Sequence, residues 1–118
     1  MKVFALILAA GKGTRFGGDK TRLYLGGKPL WRWSYDTFKS HPQVSGIGLM
    51  GNDENLAELN QVEANFVALG RETRQETSAL ACSLVPEEFD AVLIHDAARP
   101  FVSHDLISRV VEAVKRIG

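Results

Sequence analysis

The chain has 118 residues, enough for one domain with a hydrophobic core of its own. Fourteen acidic side chains balance fourteen basic ones, which argues against a nucleic-acid surface or a basic membrane-binding face and makes any anion site a local arrangement. A lone Cys82 excludes an internal disulfide and suits a reducing compartment, so the cytoplasm is the expected setting, and no apolar run approaches the roughly 18 residues of a membrane span.

The first predicted element is a strand over Val3–Leu8, a short apolar run of the kind buried in a parallel sheet. Met1-Lys2 ahead of it gives a superficial likeness to a signal peptide, but the run leads into a charged glycine loop rather than a cleavage site. That loop, Ala9-Ala10-Gly11-Lys12-Gly13-Thr14-Arg15-Phe16-Gly17-Gly18-Asp19-Lys20, reads as a phosphate cradle. Its small residues let backbone N–H groups approach an anion, and Arg15 and Lys20 add the charge that backbone dipoles lack. Spacing separates it from two better-known phosphate loops. A P-loop requires Gly-x-x-x-x-Gly-Lys-Ser/Thr, whereas Gly27-Lys28 is followed by Pro29, and Arg22 stands where the first glycine belongs. A dinucleotide fold requires a helix opening on the glycines and an acid about 20 residues on. Here the next apolar strand ends only at Asp53, and Gly17, Gly18, Gly26, Gly27 and Pro29 interrupt the segment. What remains is an extended loop around a triphosphate, beside the plainer alternative of an ordinary strand-to-helix turn.

Pro29 opens a predicted helix over 30–40 with Leu30, Trp33, Thr37 and Phe38 on one face. Trp31 and Tyr35 fall on another face, open to a subunit contact or covered by a neighbouring loop. A strand over 47–50 leads to a turn and a short helix ending near residue 59, capped by Asn52 or Asp53. A third strand is expected over 64–69. The next helix, over 74–85, is stopped by Pro86; it turns Ala79, Leu80 and Leu84 inward and places Cys82 in the core. Residues 91–94 read as a fourth buried strand. Ser103 then caps a helix in which Leu106, Val110, Ala113, Val114 and Ile117 recur at helical spacing. This alternation predicts an α/β, Rossmann-like fold, a mostly parallel sheet with helices on both faces and ligands beyond the carboxyl ends of its strands.

Three loops therefore open on one sheet edge: the Arg15 and Lys20 loop, the segment Gly70-Arg71-Glu72-Thr73-Arg74, and His95-Asp96-Ala97-Ala98-Arg99-Pro100. Asp96 directly follows a buried strand, a position suited to a hard cation such as Mg²⁺, which takes one or two carboxylates plus substrate phosphates. The same spacing allows an Asp96–Arg99 pair that staples the turn. His95, Asp96 and His104 lack the close ligand spacing of a zinc site. His95 reads as packed at the strand end, and His41 and His104 as solvated near helix ends.

With these loops assembled, the chain resembles the 2-C-methyl-D-erythritol 4-phosphate cytidylyltransferases of non-mevalonate isoprenoid biosynthesis. The resemblance runs through Ala9-Ala10-Gly11-Lys12-Gly13-Thr14-Arg15, Asp19-Lys20, Gly26-Gly27-Lys28-Pro29-Leu30 and His95-Asp96-Ala97-Ala98-Arg99-Pro100-Phe101. The last signature is shared with ribitol 5-phosphate cytidylyltransferases, whereas the glycine loop is common to many nucleotidyltransferases. The resemblance implies transfer of CMP from CTP to a sugar-alcohol phosphate, with Arg15 and Lys20 as the catalytic cations. It also implies a nucleotide site of Ala9, Ala10, Gly11, Lys12, Gly13, Gly70, Glu72, Arg74, Thr77, Asp96, Ala97 and Arg99, with Asp96 on Mg²⁺. Two positions depart from the family pattern Gly-Gly-x-x-Arg-x-x-Ser, in that Arg71 replaces the second glycine and Thr77 the serine. Residues 1–118 are read as the nucleotide-binding part. The family continues for about as many residues again, with a further metal-binding Asp, another active-site Lys and an acceptor-binding arm that makes the full-length protein a homodimer. Alternatives are a ribitol 5-phosphate cytidylyltransferase, another nucleotidyltransferase, or a CTP-binding module without turnover.

Overall fold

The structure is a computed structural model that describes residues 1–11, 24–99 and 102–117. Its elements run β1 (Val3–Leu8), β2 (Tyr24–Leu25), β3 (Lys28–Pro29), α1 (Leu30–Ser40), β4 (Val44–Gly51), α2 (Leu56–Leu59), β5 (Phe66–Leu69), α3 (Arg74–Leu84), β6 (Ala91–Asp96) and α4 (His104–Ile117). Four strands form one parallel sheet in the order β5-β4-β1-β6, and β2 and β3 form a separate antiparallel hairpin. The α/β class, the parallel sheet and the helices on both faces are as the alternation predicts.

β1 is central because all six of its side chains are apolar and buried. Val3, Ala5 and Ile7 join α1, α2 and α4 on one face through Trp31, Tyr35, Phe38, Leu59, Ile107 and Val111. Phe4, Leu6 and Leu8 join α3 on the other through Ala81. There Phe4 stacks on Phe66 at 5.7 Å between centroids and meets the edge of Phe89 at 4.9 Å, a ring layer that covers the sheet beside the short α3. Truncating a fully enclosed residue such as Leu6 to Ala costs roughly 2–5 kcal/mol.

Several expectations are corrected. The core face of α1 is Trp31, Ser34, Tyr35 and Phe38, the i, i+3, i+4, i+7 set. Trp31 and Tyr35 therefore serve the core rather than a subunit contact, with their polar ends on Glu58 Oε2 (3.2 Å) and the Glu63 carbonyl (2.5 Å). Trp33 instead packs on the hairpin: its Nε1 donates to the Leu25 carbonyl at 2.7 Å, and Lys28 Nζ lies 4.1 Å over its ring. That hairpin escaped the sequence reading; Gly26 and Gly27, at φ 58° and 84°, supply the left-handed turn it needs. In α3, Thr77 and Ala81 are buried and Leu80 packs against the core as expected, while Ala79, Leu84 and Cys82 are exposed. In α4, Ile107 and Val111 take the core, and Leu106, Val110 and Ala113 are exposed. Ser103 caps α4 as expected, its Oγ accepting from Leu106 N at 3.1 Å. His41 is buried rather than solvated, with Nε2 on Ser108 Oγ at 2.9 Å and Nδ1 accepting from Gln43 N.

Register places the site. Leu8 pairs with Met50 on one side and Asp96 on the other, and Gly51 pairs with Leu69, so the residues that follow β1, β4, β5 and β6 all emerge on one edge.

Candidate nucleotide-binding site

The chain leaving β1 is fixed before it reaches the cleft. Ala9 N donates to the Met50 carbonyl at 2.7 Å, and Asn55 Nδ2 donates to the Ala9 carbonyl at the same distance. Asn52 Nδ2 reaches the Gly11 carbonyl at 3.2 Å, while Asn52 Oδ1 accepts from the amides of Glu54 and Asn55. Asn52 thus holds the turn ahead of α2 and positions the glycine loop, but neither it nor Asp53 is the helix cap expected: the N-cap position is Asn55, whose side chain makes no capping bond. The Asn55 bond was missed, because the Asn-x-x-Asn spacing signals only a turn. Lys12, Gly13, Arg15 and Lys20 lie outside the described residues; Gly11, the last described residue before them, lines the cleft.

The second wall follows β5. Gly70 N donates to the Gly51 carbonyl at 2.8 Å, and a side chain at position 70 would run into the Ala10 methyl and Thr77, so the backbone here must be bare. Thr77 is buried, its Oγ1 accepting from Arg71 N at 2.9 Å. Thr73 and Glu76 form a reciprocal capping box at the start of α3.

The third wall is the end of β6. Arg99 N donates to the Asp96 carbonyl at 3.0 Å, closing a tight turn, and Ala97 N donates to the Leu8 carbonyl at 2.9 Å. His95 Nε2 lies 2.7 Å from the Arg99 carbonyl and 3.0 Å from Ser34 Oγ of α1, which makes the Nε2–H tautomer the one that fits. Burial pushes the His95 imidazole below its ordinary range, partly opposed by that carbonyl, so the ring is a neutral strut. The Asp96 side chain pairs with Arg74 rather than Arg99: Arg74 Nε stands 3.1 Å and 3.4 Å from its two carboxylate oxygens.

Between these walls lies a cleft of about 360 Å³. Ala10 and Gly11, Arg71 to Arg74, Thr77, Asp96, Ala98 and Arg99 line it over the end of Leu8. Ala9 and Ala97 are fully buried beneath it, their amides spent inside the sheet. Arg71, Glu72 and Arg99 make no ion pair among the described residues, which leaves two guanidinium groups open to an anion. No cluster of three metal-ligating side chains occurs among the described residues. A single carboxylate nonetheless suits a Mg²⁺ that arrives on a polyphosphate.

The IspD family profile, 2-C-methyl-D-erythritol 4-phosphate cytidylyltransferase, matches residues 3–117. The chain belongs to that family. It is 35% identical over 97% of its length to the 2-C-methyl-D-erythritol 4-phosphate cytidylyltransferase of Clostridium tetani, of which it covers 50%. Among solved structures, the bifunctional IspDF of Campylobacter jejuni superposes with a TM-score of 0.80 at 29% identity, covering 98% of this chain and 31% of that one. The 4-diphosphocytidyl-2C-methyl-D-erythritol synthase of Anaerococcus prevotii gives a TM-score of 0.80 at 24% identity, over 95% of this chain and 50% of that one. The chain thus spans about half the length of the curated single-function cytidylyltransferases it matches.

Proposed function

We propose that this chain supplies the nucleotide-binding part of a cytidylyltransferase that joins CMP from CTP to 2-C-methyl-D-erythritol 4-phosphate. Membership of the family favours this acceptor over ribitol 5-phosphate. The observation that carries the reading is the convergence, at one sheet edge, of Gly11, two guanidinium groups without an ion pair among the described residues, and the Asp96 carboxylate around a cleft of nucleotide size.

In the reaction, a phosphate oxygen of the acceptor attacks the α-phosphorus of CTP in line, and the bond from that phosphorus to the β-phosphate bridging oxygen breaks, releasing pyrophosphate. Such transfers need positioning and charge stabilisation rather than a covalent enzyme intermediate. Amides of residues 10–13 are assigned to the triphosphate, with Arg15 and Lys20 assigned to the charge that builds at the α-phosphate. Ala9 and Ala97 act from beneath by fixing the loop backbones. Gly70, Glu72 and Thr77 form the base and ribose side, where Thr77 shapes the loop through Arg71 N, and Arg74 stands between that side and Asp96. Asp96, the carboxylate that ends β6, would hold Mg²⁺, which when bound would neutralise charge on the triphosphate.

Acceptor binding and homodimerisation are assigned to the part of the family that lies beyond this sequence. A cytoplasmic setting belongs to the same reading; no helix among the described residues is long and apolar enough to cross a membrane. Calorimetric titration with CTP, UTP, GTP and NAD, each with Mg²⁺, tests the proposal. CTP is expected to bind best, with negligible formation of the CDP-alcohol by these 118 residues alone. Preference for GTP or NAD overturns the nucleotide assignment, and turnover matching a full-length relative overturns the division of labour.

A further inference from the structure

We propose that Arg74 is the resident counter-ion of Asp96 and exchanges with the divalent cation, so that metal and nucleotide bind this cleft as a coupled pair. The inference rests on the nucleotide reading above.

Arg74 is the first residue of α3, where the positive end of the helix dipole disfavours a cation. Its placement is explained by what lies opposite: its Nε faces both Asp96 oxygens, at 3.1 Å and 3.4 Å. The side chain is 60% exposed and its only ion pair among the described residues is this one, so it can swing away without breaking the core. While it stays, both carboxylate oxygens are engaged and a hard cation meets a neutralised, sterically occupied ligand. Once it leaves, the guanidinium remains in a cleft lined also by Arg71 and Arg99, whose other acidic side chain among the described residues is Glu72. The partner with the right charge for it there is a polyanion. Binding of cation and triphosphate therefore favour one another beyond their own contact in solution, each improving the other's affinity by the same factor.

Three measurements test this on the 118-residue chain, with folding of every variant checked by thermal melting. The first is binding of Mn²⁺ alone, followed by the loss of its free-ion paramagnetic resonance signal. Arg74→Gln is expected to bind Mn²⁺ about two- to fivefold more tightly than the parent chain, the range for removing an exposed ion-pair competitor. The second is binding of CTP in the presence of a chelator. Asp96→Asn is expected to tighten it several-fold, and most of that gain should vanish in the double variant Arg74→Gln/Asp96→Asn. The third needs no mutation of the pair: the Arg74 Nε–H resonance should shift when Mg²⁺ and CTP are added together, and far less with either alone. Unchanged Mn²⁺ affinity in Arg74→Gln, or an Asp96→Asn gain that survives in the double variant, overturns the exchange while leaving the nucleotide reading intact. Failure of the parent chain to bind CTP with Mg²⁺ overturns both.

Discussion

Two of the three walls of the cleft are built on opposite plans. The Gly70–Thr77 wall is held by neighbours in sequence: Thr73 with Glu76, and Thr77 with Arg71. The Asp96–Arg99 wall is held from across the molecule, by His95 and by Ser34, whose hydroxyl lies 61 residues before the imidazole it meets. A locally capped wall can form as soon as its helix does, whereas the β6 wall exists only when α1 has docked on the sheet. The first is the wall to retune by substitution, and the second is the one that reports whether the fold is complete.

Four predictions probe this contrast, in order of expected size. Gly70→Ala should do the most damage, because the new methyl meets the Ala10 methyl and Thr77 at the root of both β1 and α3. It should lower stability by roughly 1–3 kcal/mol as overpacking does, and weaken CTP binding at least tenfold by calorimetry. His95→Phe should cost about 1–3 kcal/mol in denaturant unfolding by leaving the Arg99 carbonyl and Ser34 only their long mutual bond of 3.4 Å, while His95→Gln, which keeps a donor near the Nε2 position, should recover most of it. If Gln rescues nothing, the strut is packing rather than hydrogen bonding. Thr73→Ala should cost about 1 kcal/mol and leave the β6 wall untouched, visible as unchanged amide exchange at Ala97 and Arg99.

The smallest effect is on pH. His95 has its imidazole pKa lowered by burial from 6.5, so the unfolded chain takes up a proton before the folded one does. Stability from this group is full above about pH 6.5 and declines as the pH falls through that value towards the folded pKa. The melting temperature of the parent chain should therefore drop more between about pH 7 and pH 5 than that of His95→Gln. Equal slopes would remove His95 from the acid response.

Much of this was legible in advance for a physical reason. The strand and helix alternation, the buried β1 and the common edge for Gly11, Gly70 and Asp96 follow from short-range patterning, which the sequence carries directly. The helix faces were harder. α1 presents apolar residues on two sides, and the choice between Trp31 and Trp33 depended on a two-glycine hairpin that periodicity does not register. In α4 the exposed Leu106 and Val110 mimic a core stripe one position away from the true one, Ile107 and Val111. Within the site, single-residue roles such as the bare backbone at Gly70 could be read. Pairings could not: Asn55 with Ala9 and Arg74 with Asp96 join residues 46 and 22 positions apart, and only the folded sheet brings them together.

The two indoles of α1, on opposite sides of a single helical turn and so sent to different neighbourhoods, furnish a built-in optical gauge. Trp31, sealed in the core, should emit towards the blue and shift only on global melting. Trp33, gripped by the Leu25 carbonyl and the Lys28 ammonium, should emit further to the red and be quenched by added iodide. Replacing each in turn by phenylalanine gives one chain whose fluorescence follows unfolding and another whose fluorescence follows the hairpin alone.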